Sequence, residues 1–172
     1  MSKKKILENI NETKINEFHI PRWSEFPAID IYLDQLVTYL DTYLNPYISS
    51  EENPVITKTM INNYVKQQVI PAPTKKKYSR EHIAYLFVIC TLKQVYSISD
   101  IGKLISLTIQ YFELSKAYNR FCANFEISVK NAFSRKQFPK VEKMTEEQYL
   151  LKNVVQSVAD KLYVEMKFLN KE

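Results

Sequence analysis

Between residues 57 and 80 the chain gathers side chains suited to a polyanion. Over the stretch 57–82 six basic residues, Lys58, Lys66, Lys75, Lys76, Lys77 and Arg80, stand against one acidic residue, Glu81. A lysine ammonium is a flexible point charge, so it can bind phosphate oxygens without a fixed geometry. Asn62 and Asn63 add amides, which can pair with the N6/N7 edge of adenine or with phosphates. Thr57 or Thr59 caps the helix that carries them, and Tyr78 closes the lysine run. The residues expected to contact double-stranded DNA are therefore Thr57, Lys58, Thr59, Asn62, Asn63, Lys66, Lys75, Lys76, Lys77, Tyr78 and Arg80. For Tyr64 and Tyr78, packing is the first use expected of the ring.

Other chemistries find little material. Gly102 is the single glycine, where a chain of this length usually carries roughly a dozen. Phosphate loops and dinucleotide fingerprints need several, because the backbone must turn with positive φ and approach the phosphate closely. No cofactor is expected. Cys90 and Cys122 form no CxxC pair and read as two buried, reduced thiols. His19 and His82 lack metal-ligand spacing, so no metal site is expected. Asp30 and Asp34 share a helix face but have no third ligand, which leaves them solvated. Cys90 lies in the most apolar stretch, where a thiolate is disfavoured, and His82 reads as a surface residue in the first turn of a helix. No set of nucleophile, base and orienting group can be assembled, so the chain is expected not to be an enzyme.

These residues need helices to position them, and the pattern supplies helices. Hydrophobic residues make up 45% of the 172 and charged residues 25%, the balance of a folded protein. An N-terminal arm carries Ile6, Leu7, Ile10 and Ile15 as an apolar stripe, followed by the proline-bracketed segment 20–27, in which Trp23 and Phe26 are expected to plug into the core. A helix is expected from Asp30 to Leu44, ended by Asn45-Pro46. The helix at 60–68 turns Ile61, Tyr64 and Val65 inward and Asn62, Asn63 and Lys66 outward. Pro71-Ala72-Pro73 excludes helix, and the lysines after it form a short hairpin or loop. Ser79 caps an apolar central helix to about Val95, and Ser97 or Ser99 caps the next. A long helix is expected from near Leu107 to Phe133, and Thr145 with Gln148 opens a last helix as a capping box. Its stripe of Leu151, Val155, Val158, Leu162, Met166 and Leu169 can close the core or pair with a second copy.

The longest apolar run, 83–90, is far short of the ~20 residues of a membrane span, and the N-terminus is expected not to be a signal peptide. A cytoplasmic protein without membrane contact is expected. Net charge is +5, but residues 1–56 are acidic on balance, so the positive charge is densest in the middle.

Two resemblances bear on the same residues. Thr59-Met60-Ile61-Asn62-Asn63-Tyr64, Val69-Ile70-Pro71, Lys75-Lys76-Lys77-Tyr78, Ser79-Arg80-Glu81 and Ser97-Ile98-Ser99-Asp100-Ile101 resemble the MerR-like DNA-binding domain. Asn62 stands where that family's recognition-helix arginine falls and Gln68 where its glycine falls, and the wing also lacks a glycine. Over nearly all residues before about 130 the chain is similar to the uncharacterised bacterial domain-of-unknown-function family eighteen thirty-six. That resemblance rests on Pro21-Arg22-Trp23, on 30–35, on 56–66 and on 76–86. It implies an architecture and no activity.

The expected fold is all-α: a winged helix-turn-helix core with at most a tiny β-wing, followed by a C-terminal helical region. Its divisions are an N-terminal arm at 1–27, the MerR-like winged helix-turn-helix at 28–106 and a helical region at 107–172. The expected function is a transcriptional regulator that reads double-stranded DNA. MerR-like regulators generally dimerise through a C-terminal helix, which points toward a homodimer, while any small-molecule effector stays open. The alternative is a non-enzymatic protein–protein interaction module on the same scaffold.

Overall fold

Trp23 and Phe26 fasten the proline-bracketed segment into an aromatic core. In this computed structural model, which describes residues 15–48, 54–134 and 143–169, Phe26 lies parallel to Phe87 with ring centroids 6.1 Å apart. Tyr118, Trp23 and Tyr39 close around the Phe26 ring at 5.1, 5.9 and 6.4 Å. Backbone groups of the segment are also satisfied: the Tyr118 hydroxyl donates to the Pro21 carbonyl at 2.7 Å, and the Trp23 N–H donates to Asn119 Oδ1 at 2.9 Å.

The described residues are mostly helical, with one two-stranded sheet. The order is β1 (Ile31–Tyr32), α1 (Leu33–Ile48), α2 (Lys58–Lys66), β2 (Lys77–Tyr78), α3 (Arg80–Leu92), α4 (Ile98–Ile109), α5 (Leu114–Ser134) and α6 (Glu146–Val164), with a short π-helical extension at Glu165–Leu169. The strands are antiparallel, Ile31 opposite Tyr78 and Tyr32 opposite Lys77. The chain divides into two compact units, Pro21–Cys122 and residues 1–20 with 123–172, and α5 gives residues to both.

In the unit Pro21–Cys122, α3 is the core element. Ile83, Ala84, Leu86, Phe87, Ile89, Cys90 and Leu92 are all buried along it, so it is apolar on most of its circumference. α1 lies against it through Leu36, Leu40 and Leu44, spaced at four, and α2 and the sheet pack on α1. In the other unit Phe18 meets Phe125 edge-to-face at 5.4 Å, and Glu126 Oε1 accepts from the Ile20 N–H at 2.9 Å. There α6 buries Val154, Val155, Val158, Ala159 and Leu162, while Phe133 contacts Tyr163 at 5.3 Å. Thr145 and Gln148 form the expected capping box.

Several expectations need correction. The helix expected from Asp30 starts at Leu33, and a strand at 31–32 precedes it, because those residues pair with β2. α1 continues through Asn45 and Pro46 to Ile48. Burial of Leu44 holds it, and the backbone bond that proline cannot make falls in the last turn, at exposed Thr42. The long helix from Leu107 is interrupted: the N–H groups of Tyr111 and Phe112 both turn back to Thr108, and a new helix opens with Ala117 bonded to Glu113. Leu169 of the last stripe is exposed. The stripe positions Ile6, Leu7 and Ile10 lie outside the described residues, as do residues 49–53 and 135–142.

Glycine usage is inverted. Among the described residues Gln68, Lys75 and Lys76 hold positive φ of 58°, 49° and 63°, the left-handed region where glycine costs least. Gln68 follows the C-cap of α2 in a Schellman arrangement: its N–H bonds to the Val65 carbonyl, and that of Val69 to the Tyr64 carbonyl. Gly102 sits inside α4 with ordinary φ and nothing within 4 Å of where a Cβ would stand. Gln68→Gly and Gly102→Ala should therefore each raise stability by ~0.5–1 kcal/mol. Urea midpoints shifted upward at unchanged m-value are the check.

Candidate nucleic-acid interface

Thr57 has the extended backbone of an N-cap, and its Oγ1 accepts from the Met60 N–H at 3.2 Å. The helix it starts, α2, buries Ile61 and Tyr64 and exposes Thr59, Asn62, Asn63 and Lys66. The exposed four are spaced i, i+3, i+4, i+7 and so share one face. After the Schellman turn, Pro71 and Pro73 keep the chain out of helix until Thr74.

Thr74 and Lys77 exchange two backbone hydrogen bonds, at 3.1 and 2.9 Å, and close a two-residue loop of Lys75 and Lys76. Positive φ at both loop residues is the signature of a type I′ hairpin turn, in which Asn-Gly is preferred. Here two lysines occupy it, and both side chains are exposed. The strain of two left-handed lysines therefore presents two cations at the tip of the hairpin.

The remaining cations are held. Lys58, the first residue of α2, is ion-paired with Asp34 in the first turn of α1. Lys77 places its ammonium over the Tyr32 ring, 5.2 Å from the centroid. Arg80 gives its guanidinium to backbone carbonyls, Nε to Pro27 at 3.1 Å and Nη2 to Phe26 at 3.5 Å. Tyr78 is buried and meets His82 edge-to-face at 5.3 Å. Of the eleven residues expected at the interface, Thr59, Asn62, Asn63, Lys66, Lys75 and Lys76 thus stand exposed with no ion pair among the described residues. Thr57, Tyr78 and Arg80 hold the scaffold beneath them.

The same contacts tie the two parts of the surface together. Asp34, against the start of α2, lies two residues from Tyr32, which stands opposite Lys77 in the sheet. Segment 31–34 therefore joins the N-terminal end of α2 to the hairpin. Tyr32 and Asp34 carry no mark of an interface in the sequence, because their significance lies in which lysines they touch. Ile29 beside them is 78% exposed.

The thiols, Asp34 and His82 have defined surroundings in the fold. Burial pushes the Cys90 thiol up to about 12, and Cys122 is buried too. Asp30 lies outside α1 and so shares no helix face with Asp34, which is ion-paired with Lys58. His82, expected on the surface, is buried, and its Nδ1 accepts from the Ser79 N–H at 3.0 Å as part of the cap of α3. Among the described residues no cluster of three His, Cys, Asp or Glu side chains could hold a metal ion, and no helix is long and apolar enough to cross a membrane.

Both the hairpin tip and the buried thiols can be probed directly. Lys75→Asn with Lys76→Gly should stabilise the fold by ~1 kcal/mol, read from a raised urea midpoint, since it gives the turn its preferred residues. A thiol reagent at mildly alkaline pH should leave the native protein unmodified and label both cysteines only after denaturation, because the thiolate is the reactive form and is disfavoured by burial.

No curated protein and no solved structure matches the chain. Residues 21–121 match a family described as a domain of unknown function (DUF1836), a span nearly coincident with the compact unit Pro21–Cys122 that carries the exposed helix and the hairpin. The match covers more than half of the sequence, and the chain belongs to the DUF1836 family.

Proposed function

We propose that this chain binds double-stranded DNA as a transcriptional regulator, with α2 in the major groove and the β-hairpin on the phosphate backbone. One observation carries the reading: a polar face of Thr59, Asn62, Asn63 and Lys66 is linked through segment 31–34 to a hairpin whose strained tip presents Lys75 and Lys76. In this reading the unit Pro21–Cys122 is a MerR-like winged helix-turn-helix. α1 supports α2, the hairpin is the wing, and α3 backs both. The lysines supply affinity through counterion release, and the asparagine amides supply base readout. A homodimer through α6 belongs to the same proposal, since Leu150, Val164 and Phe168 keep apolar area exposed on and after that helix.

The test is titration of a labelled duplex of mixed sequence across a salt series. Binding at low salt with log K falling linearly against log salt is the expected result. Lys75→Ala with Lys76→Ala should flatten that slope by roughly two units, about 0.9 for each phosphate no longer neutralised. Asn62→Ala with Asn63→Ala should leave the slope unchanged and reduce the preference for a selected site over random duplex by about 1–3 kcal/mol for each base pair it reads. A chain without duplex affinity at low salt overturns the proposal.

A further inference from the structure

We infer that Asp34 sets the DNA affinity of this surface by holding Lys58 in an internal ion pair, an inference that rests on the DNA reading above. Lys58 opens α2, at the end of the helix nearest segment 31–34, and its ammonium is in contact with Asp34 Oδ1. Both side chains are well exposed, 59% and 74%, so the pair adds little to the stability of the fold. Its effect falls on binding instead. A phosphate oxygen that approaches the start of α2 must compete with the Asp34 carboxylate for the same ammonium. Asp34 thereby removes one cation from the sequence-independent part of the interaction, while Lys66, Lys75 and Lys76 form no ion pair among the described residues.

The consequence is a lower affinity for every duplex. Non-specific binding is almost wholly electrostatic, and base readout by Asn62 and Asn63 does not depend on Lys58. Withholding one cation weakens attachment to selected and random duplexes equally, so the ratio between them is left to the asparagine contacts. Tyr32 orients Lys77, whose ammonium stands over its ring, without neutralising its charge. Two of the surface cations are therefore restrained by residues of a single four-residue segment, 31–34.

A double-mutant cycle separates this from simple charge repulsion. Wild type, Asp34→Asn, Lys58→Ala and the double variant are titrated against one mixed duplex over a salt series, with thermal melts showing that all four fold alike. Asp34→Asn should tighten binding roughly three- to tenfold at low salt and steepen the salt slope by about one unit. In the Lys58→Ala background the same change should do neither, and Asp34→Glu, which keeps the carboxylate, should behave as wild type. An unchanged affinity for Asp34→Asn overturns the inference, as does an equal gain with and without Lys58, which would assign the effect to repulsion alone. A wild-type chain that binds no duplex removes the DNA reading and this inference with it, an outcome distinct from the other two.

Discussion

The parallel packing of Phe26 on Phe87 is the contact from which the rest of the unit Pro21–Cys122 takes its geometry. Phe87 lies in the middle of α3, the most buried helix, and Phe26 ends the segment that leads into β1. One stacked pair thus fixes the start of the sheet relative to the core. Arg80 repeats the constraint at the other strand, because it binds the Phe26 and Pro27 carbonyls from the first residue of α3, two positions beyond Tyr78 of β2. With both strands held from the same place, a sheet of two residues per strand keeps its register, although so short a pairing is marginal by itself.

That rigidity bears directly on the surface above it. A hairpin on such a base can tolerate a costly tip. Two lysines with left-handed backbone are each disfavoured by ~1–2 kcal/mol against glycine, and the buried contacts of Tyr78 and the aromatic core offset the cost. Gln68 does the same at the end of α2, where the Schellman bonds and the burial of Tyr64 and Ile70 hold the turn. The single glycine meanwhile occupies a helix that does not require it. Among the described residues positive φ is confined to Gln68, Lys75 and Lys76, inside the 57–82 stretch that carries the densest positive charge.

Charge on the surface is graded rather than uniform. Lys66, Lys75 and Lys76 project without ion pairs among the described residues, Lys58 and Lys77 are engaged by Asp34 and Tyr32, and Arg80 is spent on carbonyls. For a protein that reads DNA, such grading limits the attraction that every duplex exerts and leaves the amide-bearing face of α2 a larger share of the binding energy. Membership in DUF1836 covers this unit and assigns no activity, so the functional reading stands on the arrangement of these side chains.

Short-range features were legible in the sequence because their partners lie within a few residues. Thr57, Ser97 and Thr145 cap their helices through bonds to backbone three positions ahead, and the apolar spacing of α3 marks it as central. Asn62, Asn63, Lys75 and Lys76 could likewise be named as outward-facing from periodicity and turn chemistry alone. Features with distant partners were not legible. Residues 31–32 resemble the start of a helix until β2 lies beside them, and Pro46 resembles a stop until Leu44 is seen to be buried. The break before Leu114 carries no glycine or proline to announce it. In the same way Lys58, Lys77 and Arg80 are three equal charges in the sequence, and the tertiary structure gave one a carboxylate, one an aromatic ring and one a pair of carbonyls. The number of charges is a property of the residues themselves. Which of them remain available to a ligand is decided by the elements that pack against them, and that depends on the whole fold.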